Sequence, residues 1–96
     1  MQDSPNNEVR STNVTIDVPE CSPEHGLRMK WESDFEIRTR IEDGGMVLVA
    51  NRSGLISLAR LFLTLANPEV PSGNHWHLDA SNCFVDGSVE LIVEKM

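Results

Sequence analysis

Hydrophobic and polar residues alternate along five short stretches of this chain and follow a helical period along a sixth. Asn13 to Val18 (NVTIDV) places Val14, Ile16 and Val18 on one side, as a half-buried strand does. Pro19 and Pro23 interrupt it, so 19–26 reads as loop. Leu27 to Trp31 predicts a short strand with Leu27, Met29 and Trp31 inward. Phe35 to Ile41 (FEIRTRI) is the clearest strand: Phe35, Ile37, Thr39 and Ile41 share one face, and Glu36, Arg38, Arg40 and Glu42 the other. Asp43-Gly44-Gly45 is a hairpin turn, because its glycines supply the positive φ such turns demand. Met46 to Ala50 (MVLVA) is apolar on both faces and reads as a central strand. His75 to Asp79 (HWHLD) alternates with Trp76 and Leu78 inward, and Val89 to Glu94 (VELIVE) with Val89, Leu91 and Val93 inward and Glu90 and Glu94 outward.

Between Ser53 and Asn67 the period becomes 3.6. Ser53, Ser57, Arg60, Thr64 and Asn67 form one narrow polar stripe, and nearly everything else is apolar. The expectation is a helix buried around most of its circumference with that stripe toward water. Asn51 or Ser53 caps its start, and Asn67-Pro68 stops it. The order β-β-β-β-α-β-β predicts a two-layer α+β fold: one mainly antiparallel sheet of five or six strands, with one long helix (about 53–67) packed across one face. Residues 1–11 are expected to be a flexible N-terminal segment and 12–96 a single α+β domain.

Composition narrows the function classes. The 96 residues carry 8 Lys+Arg against 15 Asp+Glu, a net charge of −7, with 40% hydrophobic and 24% charged residues. Those proportions belong to a globular chain. No apolar run is long enough to span a bilayer, and residues 1–20 lack the apolar core of a secretory signal, so a cytoplasmic location is expected. An acidic balance argues against nucleic acid, whose phosphates call for clustered Lys and Arg, and suits a basic protein partner. Cys21 and Cys83 make no disulfide framework or ligand motif and are expected as free thiols.

His75-x-His77-x-Asp79 is the one constellation that looks chemical. Alternate strand residues lie about 6.5–7 Å apart on one face, so two imidazoles and a carboxylate would point together. That suits a metal held by two His and one carboxylate, and equally a solvated strand face. His25 sits in an early loop, no phosphate-cradling motif is present, and no Ser or Cys is set beside a His and an acid. No enzyme activity and no cofactor are expected. A mixed, acid-rich outer face carrying Glu36, His75, His77, Asp79, Glu90 and Glu94 is instead the candidate for docking a protein.

Three blocks of sequence carry a resemblance: MVLVANRSGLISLARLFLTLA (Met46 to Ala66), HWHLD (His75 to Asp79) and DGSVELIVEK (Asp86 to Lys95). Together they resemble the bacterial polymorphic-toxin immunity proteins of family thirty-two, over about residues 46–95. Trp76 and the Cys83-Phe84 pair depart from the pattern. The resemblance implies a non-catalytic immunity protein that binds and neutralises a cognate toxin domain in the producing cell, as a monomer or homodimer. Two alternatives stand beside it: a small metal-binding or hydrolytic enzyme using His75, His77 and Asp79, and a homodimeric subunit built through a sheet edge.

Overall fold

The computed structural model describes residues 9–24 and 26–96. Residues 1–8 of the expected flexible segment, and His25, lie outside them. Strand β1 (Ile37–Glu42) and strand β2 (Gly45–Ala50) form an antiparallel hairpin. Its two-residue turn places Asp43 at φ 51° and Gly44 at φ 79°, the two positive values that match the twist of the flanking strands. Helix α1 spans Arg52–Ala66, and strands β3 (His75–Leu78) and β4 (Leu91–Glu94) form a second antiparallel hairpin.

The expected sheet of five or six strands is absent: the described residues hold two separate two-stranded sheets, in a fold that is still α+β. Two physical reasons account for the difference. The first lies along the free edge of β1, where a continuous ladder would have joined the hairpins. Ile37 O accepts from Val85 N–H and Thr39 O from Val89 N–H, so two residues of β1 face four of the incoming chain. The surplus loops out through Gly87 (φ 87°), and the Ser88 hydroxyl takes the Thr39 N–H at 3.2 Å where a backbone carbonyl would be needed. The second lies in 13–18 and 27–31, which form no ladder. Leu27, Met29 and Trp31 are half-buried as their alternation suggests, but the chain around them is tied to helix side chains at Asp17, Lys30 and Glu32 rather than to a neighbouring strand. Arg60 donates to Asp17 O at 2.8 Å and to Lys30 O, and the Glu32 N–H donates to Ser57 Oγ at 2.8 Å.

Those contacts invert the expected orientation of α1. Ser57, Arg60 and Thr64, read as the wet stripe, are buried, the first two against residues 17–32. Arg60 also pairs with Glu32 at 2.7 Å, and the Thr64 hydroxyl donates to Arg60 O, so each buried polar group has a partner. Leu58, Leu61 and Leu65 meet Ile37, Val70, Trp76, Leu78 and Phe84 in the core. The Trp76 indole N–H donates to Leu61 O at 2.8 Å, which satisfies the polar edge of a buried ring. The remaining arc, carrying Leu55, Ala59, Phe62, Leu63 and Ala66, is exposed, with Leu55 at 54%. β2 is likewise an edge rather than a central strand, and leaves Met46 and Val49 exposed.

Asn51 and Gly54 dock the helix start. The Asn51 side chain accepts from Gly54 N–H and Glu36 N–H and donates to Asp34 O. Gly54 brings the first helical turn so close that a Cβ would stand 2.6 Å from Glu36 O.

Candidate functional site

The β3–β4 hairpin separates its faces cleanly. Trp76 and Leu78 enter the core, and His75 and His77 point out. Register sets His75 opposite Glu94 and His77 opposite Ile92. The outer face therefore has an exposed apolar centre, Ile92, ringed by two histidines and two glutamates. An apolar centre inside a polar rim is the general anatomy of a protein–protein contact.

Local hydrogen bonds fix the ring orientations. The His75 Nδ1–H donates to Gly73 O at 3.1 Å, since a carbonyl can only accept. His77 Nδ1 meets Glu90 Oε2 at 3.2 Å, a pair about half exposed on both sides. The two imidazoles stand edge to face with centroids 4.8 Å apart. Two long acidic side chains and two oriented rings thus occupy one small hairpin face.

Asp79 does not join them. It lies just past β3 and organises the turn that follows: its Oδ1 accepts from the Ser81 N–H at 2.9 Å and the Ser81 hydroxyl at 2.6 Å. The Ser81 hydroxyl bond, then the Ser81 backbone bond, hold its carboxyl below its ordinary range. Its backbone carbonyl accepts from the N–H groups of Asn82, Cys83 and Phe84. Among the described residues no three His, Cys, Asp or Glu side chains gather as metal ligands, so the three-ligand site that the spacing suggested is not assembled.

Glu36 is separated from the histidines as well. It precedes β1 on the other hairpin, where it pairs with Arg38 at 2.5 Å, and Arg40 pairs with Glu42 at 3.2 Å. Of the six candidate contacts, the fold brings together His75, His77, Glu90 and Glu94 and leaves Glu36 and Asp79 apart. Burial pushes the Cys83 thiol up to about 11, and the nearby Asp79 charge adds to the rise, so its thiolate is scarcer than an ordinary cysteine's. Cys21 and Cys83 are both unbridged.

Sequence reasoning missed the exposed apolar arc of α1, because it assigned water to the polar stripe. The 4-3-4 spacing of Leu55, Ala59, Phe62 and Ala66 was the available signal, since that is the seam pattern of packed helices.

Comparison with known proteins adds one match. Residues 46–96, just over half of the chain, match the family model described as Immunity protein 32. No curated protein and no solved structure matches the chain. The matched stretch contains β2 from Met46 onward, α1, β3 and β4, and with them His75, His77, Glu90 and Glu94.

Proposed function

The chain belongs to the immunity protein 32 family, and from that premise we propose that it is a non-catalytic antidote that binds a cognate bacterial polymorphic-toxin domain in the cytoplasm of the producing cell. The family match is the observation that carries this reading. Physical chemistry supplies the manner of binding. The chain holds net −7, and residues 61–96, which include both histidines and both glutamates of the β3–β4 face, hold five acids against Lys95 alone. A basic toxin surface is drawn to such a field, and complementary charge raises the association rate more than it slows dissociation. Ile92 at the centre of the face gives the contact something to bury once the charges have aligned it. Asp79 supports the face through its turn, and Glu36 lies outside the contact.

Co-expression tests the proposal. The C-terminal domain of a candidate polymorphic toxin, chosen from the genes neighbouring this one, is produced in a sensitive host, with and without the full chain. Restored growth is the expected result, and a double Glu90→Lys/Glu94→Lys variant is expected to restore it poorly while melting at the same temperature as wild type. A host that dies at the same rate with the chain present overturns the reading. Among the described residues no helix is long and apolar enough to cross a membrane, so the exposed apolar arc of α1 is too short to be a span.

A further inference from the structure

Backbone hydrogen bonding leaves the outer edge of β2 unclaimed. The turn at Asp43-Gly44 makes Glu42 and Gly45 a hydrogen-bonded pair, and bonded pairs alternate from there along the ladder. Val47 and Val49 therefore turn their N–H and C=O groups toward β1, whereas Met46, Leu48 and Ala50 turn theirs away. Bonds at the ends of the ladder agree with that parity. Asn51 N–H donates to Glu36 O, and the carbonyls of Ile37 and Thr39, which lie opposite Ala50 and Leu48, serve the far side of β1. No described residue bonds to the outward groups of Met46, Leu48 or Ala50. Neighbouring edges are closed: β1 gives its far edge to Val85, Ser88 and Val89, and the outward His77 O of β3 accepts from the Asn82 side chain at 2.7 Å. β2 has none of the devices that blunt an edge, since its six residues, GMVLVA, hold no charge, no proline and no bulge. Helix α1 leaves the edge clear as well, because Leu58, Leu61 and Leu65 carry it toward Ile37, Trp76 and Leu78.

We propose that this edge pairs with the same edge of a second copy, β2 antiparallel to β2 about a two-fold axis at Leu48. Leu48 then faces Leu48, and Met46 faces Ala50 at both ends. Every outward group on both strands finds a partner in that register, which makes about six backbone hydrogen bonds and joins the two hairpins into one continuous sheet. Sliding by two residues would strand an outward residue on each copy. The side chains fit the same register. Val47 meets Val49 twice on the outer face, an apolar β-branched pair, and Met46, 41% exposed, meets the small Ala50 on the other face.

Charge selects the second copy over a basic partner. Residues 27–60, which contain β2, hold six bases against five acids, whereas 61–96 hold five acids against Lys95 alone. Two chains of net −7 therefore meet with least repulsion through β2, while a basic toxin surface finds no acid on the strand. The ends of the pairing are complementary too. Gly45 falls opposite Asn51, which is still extended at φ −77° and ψ 179°, so the Asp43-Gly44 turn of one copy abuts the start of α1 in the other. That first helical turn carries Arg52 and no acid, and Asp43 supplies the negative charge that a helix start favours, once at each end.

Light scattering after size exclusion of the untagged full chain, from low micromolar to sub-millimolar, is expected to show a mass rising from the 10.7 kDa of one chain toward twice that value. Residue-resolved hydrogen exchange then locates the contact. The Met46, Leu48 and Ala50 amides are expected to gain protection as concentration rises, while those of Val47 and Val49, already bonded to β1, stay as they are. Met46→Pro removes an outward donor from each copy and no bond to β1, and is expected to weaken the dimer at least about tenfold. Val49→Lys, at a position 43% exposed, sets a charge beside Val47 of the second copy and is expected to weaken it as much with an unchanged melting temperature. It keeps the test decisive if Met46→Pro does not fold. A single-chain mass at every concentration overturns the proposal. A dimer that neither variant weakens, or that forms without added protection at those three amides, overturns it and assigns association to another surface. Protection that appears only when a toxin domain is added, on a chain that stays single, overturns it and gives the edge to that partner.

Discussion

Alanine at Gly54 separates two opposing effects whose signs differ. In an open helix, Gly→Ala is stabilising by up to about 1 kcal/mol, because alanine gives up less backbone freedom on folding. Here an added Cβ stands 2.6 Å from Glu36 O, 2.8 Å from Ile37 Cγ1 and 3.1 Å from the Ala50 Cβ, against an ordinary contact of 3.4 Å or more. The nearest obstacle is backbone, and the Asn51 hydrogen bonds to Asp34 and Glu36 hold that backbone against the helix start. Relief therefore means lifting the first turn by roughly 0.8 Å. Overpacking of this kind costs about 1–3 kcal/mol, and stretching the Asn51 links adds about 0.5–1.5 kcal/mol. Set against the propensity gain, Gly54→Ala is expected to destabilise by about 1–3 kcal/mol. In a chain this size that lowers the melting temperature by roughly 5–20 °C. Urea titration followed by far-ultraviolet circular dichroism measures it. A variant more stable than wild type would refute the close contact between helix and hairpin.

Three further outcomes follow from single side chains. Arg60→Ala strips partners from Asp17 O, Lys30 O and the Glu32 carboxylate, and because Glu32 still touches water the loss in urea titration is expected near 2–3 kcal/mol; a change under about 0.5 kcal/mol would remove Arg60 as the clamp of the N-terminal segment. Asp79 has a carboxyl held below its ordinary value of 3.8, so its contribution is present above that value and fades as pH falls through the lower folded one. Asp79→Asn is therefore expected to be less stable than wild type near neutral pH and to converge with it in acid; a gap that widens in acid contradicts the Ser81 bonds as its source. Cys83, raised from 9.0 to about 11, carries roughly a hundredfold less thiolate at neutral pH than an ordinary cysteine. In a Cys21→Ser background, alkylation of the folded chain should be slower than that of the urea-unfolded chain by a comparable factor, and equal rates would place Cys83 in open water.

The elements that could be read from the sequence are those set by local rules. The Asp43-Gly44 turn fixes the register of β1 and β2, because only one pairing closes a two-residue loop. Helix α1 begins and ends within about a residue of the reading, since Asn51 caps it and Pro68 forbids its continuation. The alternation in HWHL places Trp76 and Leu78 inward and both histidines outward, which made half of the candidate face legible. Long-range partners were not legible. Alternation in 13–18 and 27–31 reports that one side is covered, and it is silent on whether backbone or side chains satisfy the main chain. The choice fell to Ser57 and Arg60, so polar residues went inside and Leu55, Phe62 and Leu63 were left outside. Asp79 misled for a related reason: two-residue spacing holds only while the strand lasts, and β3 ends at Leu78, after which the Asp79 carboxylate turns to Ser81.

Calorimetric titration of the full chain with the C-terminal domain of a candidate polymorphic toxin that it protects against bears most directly on the proposal that it is an antidote. Saturating heat at one toxin per chain is expected, with an affinity that weakens as salt is added, because acid-rich and basic surfaces attract less when screened. Absence of heat at concentrations well above micromolar, or a saturated complex in which the toxin keeps its full activity, contradicts it.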